Sequence, residues 1–200
     1  TDSSLDEMIE LGTMAEEQGF HSVYVNEGRG DAIGCATAIG LNTKRIVVGT
    51  NIANIYFRHP FLTAQSARTA SELTNGRFIL GLGMSHRELL RGLGIEMGAA
   101  RDCLANHVTT VLDTLAGKGD SGGPLRPQKS RHKIPVYVAG NTVESATIAG
   151  SISDGLMPYL TPHSHLPTLL KATDNALTDR ARPAGCIMSI PTFISDDEED

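Results

Sequence analysis

Two short apolar runs, Arg45–Ile52 and Arg77–Gly83, flank a single helix-patterned segment, and this arrangement restricts the chain more than any other feature. Neither run alternates apolar with polar residues, which is the pattern of strands covered on both faces. The segment between them opens at Pro60, a residue suited to the first helical position, and runs through Leu73 to a stop at Asn75-Gly76. Strand, helix and strand with this covering make a βαβ unit, and a βαβ unit belongs to a parallel sheet.

The alternation extends both ways. Upstream, Ser4 can cap a helix carrying Leu5, Met8, Ile9 and Leu11, with Gly19 as its stop. A strand over His21–Val25 and a small-residue helix over Asp31–Leu41 follow. Downstream, helical pattern resumes at Ser85 and again from Cys103 to Leu115. Strands are expected at Pro135–Ala139, Gly155–Leu160 and Cys186–Ile194, and helices at Thr142–Ser151 and His165–Leu177. Gly117–Lys133 has no periodicity and reads as a surface loop inside one domain.

About six strands alternating with helices form either a closed barrel or an open doubly wound sheet. The chain opens within a helix and closes on Asp196–Asp200, an acidic cluster suited to the first turn of a further helix. A complete eightfold barrel needs roughly 250 residues. The expectation is therefore one barrel domain over residues 1–200 that lacks a first and a last strand.

Composition narrows the function. With 40% hydrophobic and 20% charged residues and a net charge of -6, the chain has the profile of an α/β domain without a basic surface for nucleic acid. No run reaches the ~18 apolar residues of a membrane span, and the polar N-terminus does not resemble a signal peptide. Cys35, Cys103 and Cys186 lack metal-ligand spacing and read as buried thiols in a reducing, cytoplasmic compartment. No metal site is expected, and His163 and His165 read as loop residues.

Ligands of parallel sheets bind at the carboxyl ends of the strands, so the residues following each strand carry the chemistry. Asn26 and Glu27 follow the first expected strand, where Glu27 is either a reacting acid or a structural partner and Asp31 is a helix cap. Thr50, Asn51 and Ile52 end the second, where small and amide side chains let a flat heterocycle approach the backbone. Arg58-His59-Pro60 sets a cation and an imidazole at a helix start. Ser85 and Glu88 form a capping-box pattern after Gly81 and Gly83, with His86 between them. Gly140-Asn141-Thr142 places free backbone N–H groups at a helix start, the best phosphate site on this reading.

Gly49-Thr50, Arg58-His59-Pro60 and the run from Leu73 through Gly83 together resemble the luciferase-like monooxygenase family, and the resemblance covers nearly the whole chain. Asn26-Glu27 with Gly30-Asp31-Ala32, and Asn54-Ile55-Tyr56, are most similar to its deazaflavin-dependent branch, related to methylenetetrahydromethanopterin reductase. The resemblance implies a parallel (β/α)8 TIM barrel and a homodimer. It implies a tricyclic ring backed by Thr50, Asn51 and Ile52 at a non-prolyl cis peptide, with Asn26, Ser85 and His86 lining the same face. The cofactor phosphate would sit at Gly140, Asn141 and Thr142. Some members carry a histidine where this chain has Gly28, so proton transfer falls to Glu27 or His59. The implied activity is hydride transfer between coenzyme F420 and a small organic substrate. The alternatives are an FMN-dependent monooxygenase using reduced flavin and oxygen, and a flavin-binding protein without catalysis.

Overall fold

The computed structural model describes residues 4–28, 30–118, 126–177 and 184–190. Helix α1 (Leu5–Glu17) starts where expected: Ser4 Oγ accepts the Glu7 N–H at 3.2 Å and the Glu7 carboxylate accepts the Ser4 N–H at 2.7 Å. This reciprocal pair satisfies donors that the first helical turn leaves open. Strand β1 (Ser22–Val25) leads to α2 (Ala32–Asn42), capped by the Asp31 carboxylate on the Ile33 N–H at 3.0 Å. Then follow β2 (Val47–Thr50), β3 (Ala53–Asn54), α3 (Pro60–Leu73), β4 (Phe78–Gly83), α4 (Arg87–Gly92) and α5 (Ala100–Leu115). The described chain ends with β5 (Val136–Ala139), α6 (Val143–Ile152), β6 (Gly155–Met157), α7 (Leu166–Asn175) and β7 (Gly185–Cys186).

Every strand pairing is parallel, in the order β1-β2-β4-β5-β6-β7, with β3 also pairing β4. Alternate residues of β4 face opposite sides. Phe78, Leu80 and Leu82 are fully buried in a core shared with Ala64, Ala67, Leu104 and Val108 of α3 and α5. Gly81 faces the inside of the curl, where a Cβ would overlap the Thr50 carbonyl and the Met157 sulfur. The small helix residues Ala36, Ala64, Ala146 and Ala149 are buried, which lets the helices lie close on the sheet.

The sheet curls. Asn51 Nδ2, just past β2, donates to Ser189 Oγ, just past β7, at 2.8 Å, although β4, β5 and β6 lie between those strands in the sheet. Among the described residues β1 and β7 each have one strand neighbour, so the structure shows a curled parallel sheet as part of a barrel, without closure. No helix among the described residues is long and apolar enough to cross a membrane.

Several expectations are corrected. The second strand stops at Thr50, and after the Asn51–Ile52 peptide, which is cis as the resemblance implies, the chain resumes pairing as β3 beside β4, a two-residue strand that the sequence pattern did not reveal. Ser85 does not cap α4. Its φ of 60° is outside the extended region that a capping residue occupies, and His86 takes the N-cap position without a side-chain hydrogen bond. Strand β6 ends at Met157 because Pro158 has no N–H for the ladder. The thiols are not fully buried: Cys35 and Cys103 are half-buried, Cys103 packed against the core, and Cys186, on the last described strand β7, is exposed. Within the expected loop and last strand, residues 119–125 and 191–194 lie outside the described residues, as does the acidic 196–200 cluster.

Candidate functional site

Five strand ends meet in a cleft of about 360 Å³. Asn26 and Glu27 enter it after β1, Asn51 and Ile52 after β2, and Met84, Ser85 and His86 after β4. Gly140 and Asn141 come from the end of β5, and Tyr159 from beyond β6. The floor is apolar and tight: a Cβ on Gly83 would lie 3.0 Å from Ile52 Cγ1 and 3.1 Å from Ala139 Cβ. Three amides, Asn26, Asn51 and Asn141, stand on the walls. Of the candidate catalytic and coenzyme-binding residues expected from the sequence, all but Thr50, Thr142 and His59 line this one cleft.

Those three do other work. Thr50 is fully buried, and its hydroxyl donates to the Gly81 carbonyl at 2.8 Å and accepts the Gly81 N–H at 3.0 Å, cross-linking β2 to β4 below the floor. Thr142 caps α6, accepting the Ser145 N–H at 3.2 Å. His59 caps α3, its Nδ1 accepting the Phe61 N–H at 3.2 Å on the surface.

Glu27 is anchored. Its carboxylate accepts from Arg58 Nη2, from the Asn54 N–H at 2.7 Å and, more weakly, from the Ala32 N–H at 3.4 Å. The Arg58 and Glu27 side chains are only 12% and 7% exposed, and Arg58 also reaches Asp31 at 3.1 Å. This hub ties the end of β1 to β3 and to the start of α2. A carboxylate already accepting from three donors has few lone pairs left to offer a ligand, so its geometry is that of an anchor.

The phosphate site is more crowded than its sequence suggests. Asn141 spends its amide on the backbone around Tyr159: Nδ2 donates to the Tyr159 carbonyl at 2.5 Å, and Oδ1 accepts the Tyr159 N–H and the Thr161 hydroxyl, each at 2.9 Å. Gly140 is glycine because a Cβ there would overlap the Ser145 side chain. What remains for an anion is the first turn of α6, where Glu144 already sits with its carboxyl held below its ordinary value by backbone and Thr142 hydrogen bonds.

Sequence reasoning missed Tyr159, which it placed within a strand, and His107 of α5. Nothing in the local pattern marks either. His107 is buried, and burial, together with the neighbouring His59 and Arg58, pulls its pKa down to about 4. Nearby, Tyr56 donates its hydroxyl to the Met97 carbonyl, and burial together with Cys103 pushes the phenol up to about 12. No cluster of metal-ligating side chains occurs among the described residues. Another cleft, of about 650 Å³, opens at the opposite face around Lys129, Arg131 and Lys133, near the carbonyl ends of α5 and α6. Those cations complement the negative helix ends, and ligand sites of parallel sheets lie at the other face.

Comparison with known proteins agrees with this geometry. The chain is 29% identical over 154 residues to a 5,10-methylenetetrahydromethanopterin reductase of Methanolobus tindarius, covering 72% of the chain and 47% of that protein. It is 27% identical over 207 residues to an F420-dependent glucose-6-phosphate dehydrogenase of Microbacterium testaceum, covering 88% of the chain and 60% of that protein. The chain thus spans about half the length of these relatives. A monooxygenase of Streptomyces bottropensis shares the fold with a TM-score of 0.80 at 20% identity, covering 96% of the chain and 66% of that structure. A family model described as luciferase-like monooxygenase matches residues 1–200, and the chain belongs to that family.

Proposed function

We propose that this chain forms the coenzyme-holding part of an oxidoreductase that transfers hydride between coenzyme F420 and a small organic substrate. The carrying observation is the single cleft built from five strand ends, with an apolar floor and amide walls. Its volume of about 360 Å³ lies in the range of ligand pockets, roughly 300–1,000 Å³. The residues fit a flat ring: Ile52, Gly83 and Ala139 leave a surface that any side chain at position 83 would fill. The dehydrogenase relative, described as F420-dependent, supports the choice of coenzyme.

When bound, a deazaflavin supplies the hydride chemistry. The protein's part is to hold and orient. Ile52, Gly83 and Ala139 back the ring, with Asn26, Ser85 and His86 on its rim. The first-turn N–H groups of α6, beside Gly140, Asn141 and Thr142, meet an anionic tail. Glu27 acts as a positioning carboxylate that fixes the rim through Arg58 and Asn54. For a proton the better-placed group is His86, an imidazole lining the cleft with no capping bond, whereas His59 stands outside it. A homodimer, which the family resemblance implies, belongs to the same proposal.

Anaerobic titration of the purified protein with coenzyme F420 and with FMN tests the reading. Saturable binding of F420 with hydride exchange supports it. Binding of FMN alone, with oxygen consumption, assigns the chain to the monooxygenases of the family instead. Binding without turnover of any kind leaves the non-catalytic flavin-binding role.

A further inference from the structure

Tyr159 combines an exposed ring with an unusually well-held backbone. The residue is 52% exposed and stands outside the hydrophobic core. It borders the ring cleft and also a larger cleft of about 950 Å³ on the β1 and β7 side; Asn26 and Asn51 are the other two residues common to both. Its N–H and carbonyl are both clamped by the Asn141 amide, at 2.9 and 2.5 Å. It also pairs in parallel with Ser189, whose hydroxyl is held by Asn51 at 2.8 Å. The Ser189 N–H reaches the Pro158 carbonyl at 3.2 Å, and the Leu160 N–H reaches the Ser189 carbonyl at 3.3 Å.

Two amides that the sequence pointed to as ligand contacts are thus engaged in fixing the backbone around one aromatic residue at the mouth. A half-exposed aromatic on a fixed backbone is preorganised, because little further ordering is needed when a flat partner arrives. We propose that Tyr159 is a direct contact of the planar heterocycle, packing on its face or edge, and that Asn141, Asn51 and Ser189 aim it. This rests on the reading of the cleft as a ring site.

The test compares wild type with Tyr159→Ala, Tyr159→Leu and Tyr159→Phe, using riboflavin, FMN and coenzyme F420 as probes and their fluorescence as readout. Tyr159→Ala is expected to weaken each probe that the wild type binds by about tenfold, by the same factor for riboflavin as for FMN, because the lost contact is with the ring and not the phosphate. Tyr159→Phe is expected to stay within about twofold of wild type, and Tyr159→Leu, which keeps bulk without a flat π face, to fall between. Tyr159→Ala and Tyr159→Leu both binding like wild type overturns the role of Tyr159 alone. Wild-type protein that binds none of the three overturns the reading of the cleft as well.

Discussion

Replacing Glu27 by Gln removes the charge from a pair whose side chains are 7% and 12% exposed and leaves Arg58 facing a neutral amide. Deleting one partner of a buried ion pair destabilises by roughly 3–5 kcal/mol, because the remaining charge is left uncompensated. Two features reduce this. The Gln oxygen still accepts the Asn54 N–H, and Asp31, 3.1 Å from the same guanidinium nitrogen but 62% exposed, supplies a weak second charge. The expected loss is about 2–3 kcal/mol. For a domain of this size that lowers Tm by roughly 5–10 °C. Urea unfolding of Glu27→Gln, Arg58→Met and the double variant isolates the pairwise contribution, expected at about 1 kcal/mol or more. Losses that add to within about 0.3 kcal/mol would show that the two side chains do not act as a unit, and the anchoring role drawn for Glu27 would go with them.

Two further outcomes concern pH. His107 has an ordinary pKa of 6.5 and a folded value of about 4, so between these the unfolded chain binds a proton that the folded chain refuses. Stability therefore falls as pH drops through that window, by on the order of 1–2 kcal/mol after allowing for screening, and His107→Asn flattens the slope of urea midpoints between pH 7 and pH 5, to about neutral dependence. Glu16 accepts the N–H groups of Ile46, Arg45 and Lys44, which pull its carboxyl from 4.5 down to about 2. Its contribution is present above pH 4.5 and lost on acidification toward 2. Glu16→Gln is expected to unfold with a shallower pH dependence in that range by circular dichroism, and an unchanged acid limb refutes the assignment.

The elements were legible because their signals are local. Ser4 with Glu7, Asp31 and Pro60 mark helix starts within one turn of chain, and β4 declares itself through a continuous apolar run. The cleft was partly legible too, because a parallel sheet sends the residue after every strand to the same face, so Asn26, Asn51, Ser85 and Gly140 converge without any long-range information. What each residue does there was not legible. Glu27 reads in the chain as either a reacting acid or a structural partner, and only the fold shows it held by Arg58, Asn54 and Ala32. Asn141 looks like a ligand contact and is consumed by Tyr159. His59 and Thr142 read in the chain as either helix caps or ligand contacts, and in the fold both cap helices.

The sequence alone determined the βα alternation, the helix caps and the set of residues that could stand at the mouth, since each depends on neighbours a few positions away. Only the curl of the sheet decided which of them touch. It brought Arg58 to Glu27 and Ser189 to Asn51, the latter across 138 positions, and no periodicity in the chain encodes a contact set by how far a sheet bends.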